Sequence, residues 1–277
     1  AAVTDEVAFV FNTFSFLVHG FLVMLMAAGF AMLESGLVRT KNTAAICLKN
    51  IALYSIAGIM FYLIGYNLMY TGVPEGGWIG SFSLLYNTSE AELALINAEN
   101  KTPELVKGAM GAGYSVMSDW FFQMVFVATA ASIVSGTVAE RIKVWPFLVF
   151  VVVLTAFIYP VQASWVWGGG WLGDMGLQDF AGGSVVHITA GVAALVAATS
   201  MGSRRGFGAT AMPPHNLTMT VTGAGMLWVG WFGFNAGSAV AADSSAAMAM
   251  LVTHLSAACG SLAWMTMECS ATGSLLC

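Results

Sequence analysis

Long stretches without a charged residue constrain the fold of this chain more than any other feature of its sequence. A transmembrane helix needs about 20 consecutive apolar residues. Stretches of at least this length that lack Asp, Glu, Lys and Arg run over 7–33, 50–74, 120–139, 144–173, 180–203, 206–242 and 244–267. Backbone groups in lipid must bond to one another, which permits helices or closed barrels, and these stretches lack the alternation of barrel strands. The sequence therefore predicts an all-α polytopic membrane protein with seven helices.

The composition excludes several classes of protein. Only 8% of the 277 residues are charged, whereas a soluble domain carries about 25% and needs them on its surface. The net charge of −5 argues against a nucleic-acid partner. The sequence shows no metal-ligand spacing, cofactor motif or nucleophile–base motif, so no enzyme, cofactor or metal site is predicted.

The distribution of basic residues predicts the orientation in the membrane. If the N-terminus is outside, seven of the nine Lys and Arg residues lie on the cytoplasmic side: Arg39, Lys41, Lys49, Arg141, Lys143, Arg204 and Arg205. The positive-inside rule favours this orientation. The polar segment 71–118 then becomes an extracytoplasmic loop with a short helix. The predicted location is the inner (plasma) membrane, and 1–277 is predicted to be a single transmembrane domain.

The predicted spans contain few ionisable groups. Asp179 opens the fifth span, where a carboxylate is favoured as a helix cap and could also attract a cation. His187 follows eight residues later, which places it about 12 Å along the helix and near the midplane of the hydrocarbon core. A midplane histidine can simply bond to a neighbouring helix, but ionisable groups at this depth favour a functional role. Glu34, near the inner end of the first span, is expected to pair with Arg39 or Lys41 or to cap a neighbouring backbone.

A second set of residues is predicted at the outer ends of the helices. Phe122 begins the third span, Trp167 lies in the connection before the fifth, and Phe234 and Ser238 share one face of the sixth. Aromatic faces and a hydroxyl could form a weak cation site. The alternative is an aromatic belt at the membrane interface, and the residues taken alone favour that alternative.

Several motifs resemble those of the ammonium transporter (Amt/Mep/Rh) family, and most closely its bacterial Amt branch. The longest is DFAGGSVVHITAG at 179–191. The others, in the order typical of the family, are GLVRTKN at 36–42, AER at 139–141, WGGG at 167–170, PHN at 214–216 and GWFGFNAGS at 230–238. The resemblance implies transport of ammonium or ammonia across the bilayer. It also implies a fold of eleven helices with inverted repeats, assembled as a homotrimer with one pore in each subunit.

The resemblance also implies roles for particular residues. Trp167 and Ser238, with Phe122, correspond to the outer site that recruits ammonium, and Asp179 to the acidic residue beneath it. Phe122 and Phe234 correspond to the stacked rings of the gate. His187 corresponds to the first of two pore histidines.

This sequence also departs from the family pattern. Seven spans are predicted rather than eleven, and no residue after His187 corresponds to the second pore histidine, so the chain is expected to be incomplete at its C-terminus. An ammonium sensor with little or no flux is the alternative function. The family further implies a PII-type signal protein as a partner on the cytoplasmic face.

Overall fold

A computed structural model of the chain describes residues 4–273, which form seven long apolar helices joined by connections. The helices are α1 (Asp5–Leu37), α2 (Thr40–Tyr70), α3 (Val116–Thr137), α4 (Val144–Ser164), α5 (Gly183–Met201), α6 (Leu217–Gly237) and α7 (Ser244–Thr272). Each is long and apolar enough to cross a bilayer. The prediction of seven spans in an all-helical fold is confirmed, and the described residues contain no β-strand.

Short polar side chains fix where several of these helices begin. Thr4 accepts a hydrogen bond from the backbone amide of Val7 at the start of α1. Asn216 caps α6, and Asp243 accepts from two amides at the start of α7. Such caps bond amides that have no partner within the helix. The chain leaves each helix at one end of the bundle or the other, and the connections lie at these two ends.

The two ends are named here by their connections. The loop end carries residues 71–115, together with the connections 165–182 and 238–243. The basic end carries the connections around Arg39, Arg141 and Arg204. Helix α3 lies at the centre of the bundle, since 72% of its most apolar window is buried against 11% for α7.

Helices α1 and α6 approach each other closely because glycines line their contact. A methyl group at Gly233 would lie 2.5 Å from the carbonyl oxygen of His19, and one at Gly223 would lie 2.5 Å from the backbone nitrogen of Leu33. Small residues are the usual means of close helix packing in membranes, where apolar side chains gain little by leaving lipid. This contact positions the end of α6 beside α3.

Three spanning helices contain a π-helical turn. The turns run over Phe61–Gly65 in α2, Leu154–Ile158 in α4 and Gly183–Ile188 at the start of α5. The first two pack against each other, and a methyl group at Gly65 would lie 3.0 Å from the carbonyl oxygen of Thr155. Such turns rotate the side chains that follow, and they are frequent at functional sites.

The polar segment before α3 has a defined fold. It contains two short helices, Glu90–Asn97 and Pro103–Ala109, where the sequence predicts one. Glu92 is buried, and its Oε1 accepts from the backbone amide of Val116, the first residue of α3. The segment is therefore anchored to the central helix and forms a wall of the cavity described below.

Buried charges connect the helices near the basic end. Lys49 Nζ lies 3.6 Å from Glu34 Oε2 and donates to the carbonyl oxygen of Ser135 at 2.7 Å. The prediction that Glu34 pairs with Arg39 or Lys41 is wrong, since Arg39 binds Glu140 instead. Glu34 lies on the buried face of α1, so its partner comes from the facing helix α2 and not from the connection that follows it.

Candidate functional site

A cavity of about 580 Å³ at the loop end brings together the residues predicted for the outer site. Called the vestibule below, it is bounded by α2, α3, α6 and their connections. It is lined by Tyr66, Tyr70, Ala112, Tyr114, Val116, Asp119, Phe122, Gln123, Trp167, Asp179, Phe180, Ser238, Ala239 and Val240. Four predicted site residues, Phe122, Trp167, Asp179 and Ser238, therefore share one space.

Trp167 is held rigidly at the wall of the vestibule. Its Nε1–H donates to the carbonyl oxygen of Asp179 at 2.7 Å, so the polar atom of the indole is already bonded. The ring lines the vestibule and is available there for contact with a bound group. The negative potential over an aromatic face attracts cations, and Trp is the strongest of the aromatic residues in this respect.

The carboxylate of Asp179 caps the start of α5. Its two oxygens accept from the backbone amides of Gly182, Gly183, Ser184 and Val185 and from the Ser184 hydroxyl, all within 2.8 Å. Burial opposes its charge, but the hydrogen bonds from Ser184 and the amides outweigh burial and hold the pKa of Asp179 below its ordinary value. Asp179 thus fixes the start of the helix that carries His187.

Ser238 presents a hydrogen-bond acceptor to the vestibule. Its Oγ donates to the carbonyl oxygen of Phe234, one turn earlier in α6, at 2.7 Å. Because the hydroxyl proton is engaged there, the lone pairs of Oγ remain free to accept from an N–H group. Aromatic faces and an oxygen acceptor thus line the same cavity, as a site for a small N–H cation requires.

The ring stacked on Phe234 belongs to Phe126, and this corrects the prediction for Phe122. The centroids of Phe126 and Phe234 lie 4.0 Å apart with an interplanar angle of 28°. Phe122 lies one turn nearer the loop end, where it meets Phe126 and the edge of Phe16. Phe122 and Phe126 share a face of α3 four residues apart, so the sequence offers two candidates, and only the packing selects the deeper one.

His187 lies directly beyond the stacked rings. Its imidazole centroid is 5.7 Å from that of Phe234 and 5.8 Å from that of Trp231. Nδ1 lies 3.1 Å from the carbonyl oxygen of Gly182, so the neutral ring is protonated at Nδ1 and its Nε2 is an acceptor. The π-helical turn at the start of α5 sets this orientation. Vestibule, stacked rings and imidazole follow one another in that order.

The remaining histidines of the spans lie elsewhere. His19 is bonded to Ser15 within α1, and His254 of α7 packs beside Trp228 and Phe232. Two vestibule residues, Asp119 and Tyr66, were not selected from the sequence. An aspartate in the first turn of a helix is typical of a helix cap, which gives no signal of a site.

Comparison with known proteins identifies the family of the chain. A family model described as the Ammonium Transporter Family matches residues 14–275. A putative ammonium transporter of Methanothermobacter thermautotrophicus is 40% identical over 256 residues, which is 91% of this chain and 58% of that protein. Ammonium transporter Amt2 of Archaeoglobus fulgidus is 40% identical over 262 residues, or 89% of this chain and 51% of that protein.

Solved structures show the same fold. A structure described as a sensor Amt protein has a TM-score of 0.84 at 28% identity. The match covers 98% of this chain and 65% of the chain in that structure. Mep2 of Candida albicans has a TM-score of 0.79 at 28% identity, covering 98% of this chain and 58% of its own. The chain thus spans a little over half the length of the curated relatives it matches. On the extent of these matches, the chain belongs to the ammonium transporter family.

Proposed function

We propose that this chain forms the part of an ammonium transporter that recruits the cation and passes it as ammonia toward a midplane histidine. The observation that carries the proposal is the order of the groups. A vestibule with Trp167, Phe122 and Ser238 leads to the Phe126–Phe234 stack, and His187 lies behind that stack. Membership of the family agrees with this reading.

Recruitment in the vestibule rests on weak interactions. The indole face of Trp167 attracts the positive charge, and Ser238 Oγ accepts an N–H bond from it. An exposed cation–π contact contributes only about 0.5–1 kcal/mol. Weak binding suits a conducting site, because a tightly held ion leaves slowly.

The stacked rings separate ammonium from metal cations of similar size. Phe126 and Phe234 are fully buried, so a cation at this point would lose its hydration without any compensating ligand. Ammonium differs from potassium because it can transfer a proton to water in the vestibule, which forms hydronium there, and continue as neutral ammonia. His187 Nε2 then accepts an N–H bond from the ammonia. Deprotonation therefore takes place between the recruitment site in the vestibule and His187.

The wider setting forms part of the same proposal. The protein lies in the plasma membrane with the loop end outside, because seven of the nine basic residues lie toward the other end. Residues 71–118 then form an extracytoplasmic loop of a single transmembrane domain. The protein acts as a homotrimer with one pore in each subunit, and the basic end is the face for a PII-type signal protein. No enzymatic reaction is proposed.

An ammonium sensor is the second candidate. It is favoured by one observation, the TM-score of 0.84 to a structure described as a sensor Amt protein. A sensor would bind ammonium in the vestibule with little or no flux. Measurement of binding and flux on the same preparation separates the two functions.

The experiment that tests the site is uptake of radiolabelled methylammonium by the full-length protein in proteoliposomes. Trp167→Ala removes the aromatic face and should raise the concentration for half-maximal uptake about twofold to fivefold, the loss of a contact of about 0.5–1 kcal/mol. Trp165→Ala is the matched control, since Trp165 lies two residues earlier but packs on Trp78 and Trp171 outside the vestibule. Equal behaviour of the two variants would refute the role given to Trp167.

A further inference from the structure

The vestibule contains a second acidic residue, Asp119, which neither the motifs nor the proposed path uses. It lies in the first turn of α3 with only 7% of its surface exposed, and it lines the same cavity as Trp167 and Ser238. A carboxylate that is removed from water in this way requires an explanation.

The hydrogen bonds of Asp119 leave its charge largely uncompensated. Tyr66 Oη donates to Oδ2 at 2.8 Å, and Gln123 Nε2 donates to Oδ1 at 3.2 Å. Among residues 4–273, no basic side chain lies within 4 Å of either oxygen. A carboxylate has about four acceptor positions, so roughly half of them remain. Asp179 differs, because five donors already surround it.

A purely structural role as a helix cap does not account for Asp119. The first amide of α3, that of Val116, is bonded to Glu92 Oε1. The amides of Ser118 and Asp119 itself are bonded to the carbonyl oxygen of Ser115. Three of the first four amides of the helix are thus bonded without the Asp119 carboxylate. Both hydrogen-bond partners of that carboxylate are side chains.

The surroundings of Asp119 strengthen its field within the vestibule. The rings of Tyr66, Tyr70 and Tyr114 line the cavity beside it and form largely apolar walls. The pKa of Tyr114 is raised to about 12, first by burial and then by the charge of Asp119. The Tyr114 phenol therefore stays neutral. Charges of one sign in a cleft with low-dielectric walls raise the local concentration of counter-ions.

We propose that Asp119 supplies the fixed negative charge that draws a small monovalent cation of the ammonium class into the vestibule, and that this attraction depends on the charge rather than on the hydrogen bonds that Tyr66 and Gln123 donate to it. This inference rests on the proposed function and adds to it. Trp167 and Ser238 select the cation once it has entered, and Asp119 determines how much of it enters. Asp179 acts as a helix cap and contributes little to that attraction.

The test compares Asp119→Asn with wild type in the full-length protein, with methylammonium uptake in proteoliposomes as the readout. The substitution keeps the shape of the side chain and removes its charge. We expect the concentration for half-maximal uptake to rise about tenfold, with the maximal rate within about twofold of wild type. Glu90→Gln is the matched control, because Glu90 is an exposed carboxylate at the same end of the bundle.

Tyr66→Phe separates the charge of Asp119 from its hydrogen bonds. The substitution removes one hydrogen-bond donor and leaves the carboxylate. We therefore expect the concentration for half-maximal uptake to stay within about twofold of wild type. It also keeps the proposal testable if Asp119→Asn does not assemble. An unchanged half-maximal concentration in Asp119→Asn would overturn the proposal, and so would a tenfold rise in Tyr66→Phe. If neither Asp119→Asn nor Trp167→Ala changes the half-maximal concentration, the proposed function fails as well. If that concentration rises in Trp167→Ala but not in Asp119→Asn, only the role given to Asp119 is rejected.

Discussion

At the basic end, hydrogen bonds and ion pairs of a few side chains join the connections between helices. Glu140 accepts most of these bonds. Its Oε1 accepts from Arg39 and Asn42, and its Oε2 accepts from Arg204 at 3.0 Å. Glu140 adopts φ +61°, a conformation that is uncommon outside glycine, to reach these partners. Three connections that are distant in sequence are thus joined by one carboxylate.

The stability of the protein should depend on the charge of Glu140. Burial opposes that charge, but hydrogen bonds from Arg39, Asn42 and Arg204 outweigh it and lower the pKa to about 2. Because the pKa is lowered on folding, the stabilisation is fully present above the ordinary value of about 4.5 and is lost as pH falls from there toward 2. Glu140→Gln should therefore lower the free energy of unfolding at neutral pH by about 1–3 kcal/mol.

The measurement is the unfolding temperature of the detergent-solubilised protein as a function of pH. The difference between wild type and Glu140→Gln should be largest above pH 4.5 and shrink at lower pH. A difference that stays constant from pH 7 to pH 3 would exclude the charge of Glu140 as its source.

The sequence could identify some site residues and not others, for physical reasons. Trp167, Asp179, His187 and Ser238 lie in long motifs, and the structure gathers the outer three around one cavity with His187 beyond it. The stacked ring of Phe126 could not be chosen over its neighbour one turn away, because both share a helix face. Its selection depends on how deeply α6 packs against α3.

Among the helices, the contact of α1 with α6 determines where the stacked rings and Ser238 lie. This contact depends on glycines that admit the opposite backbone. A methyl group added at Gly233 would meet the carbonyl oxygen of His19 at 2.5 Å, and backbone atoms there cannot move aside as a flexible side chain can.

Gly233→Ala should destabilise the protein, and Gly225→Ala should not. Overpacking of a close contact costs about 1–3 kcal/mol, whereas alanine at an open helical position gains up to about 1 kcal/mol over glycine. Gly225 lies on the same helix, and a methyl group added there would meet no neighbouring atom of residues 4–273 within 4 Å. Thermal unfolding of the two variants in detergent checks this, and equal losses would show that the contact does not depend on glycine.

Charge-free stretches predicted the existence of each helix but not its bounds. The stretch 206–242 contains only the helix Leu217–Gly237, because Pro213 and Pro214 precede the Asn216 cap. The π-helical turns also left no signal in the sequence. Two of them lie where α2 and α4 pack closely, as at Gly65 against α4.

At the scale of the whole molecule, the bundle extends between two polar ends. The vestibule, the stacked rings and the imidazole lie along α3, α5 and α6. Helix α1 packs against α3 and α6, and α2 packs against α3. Within the described part of the chain, α7 is the least buried of the seven helices. The relatives matched are nearly twice as long, so the activity proposed here belongs to the full-length protein.

Flux of methylammonium into proteoliposomes that contain the full-length protein tests the central claim most directly. Accumulation should be saturable, competed by ammonium, and unaffected by a hundredfold excess of potassium, a margin of about 2.7 kcal/mol between the two cations. Binding of ammonium by calorimetry is measured on the same preparation. Binding without accumulation above that of empty vesicles, or equal competition by potassium, would contradict selective transport past Phe126, Phe234 and His187.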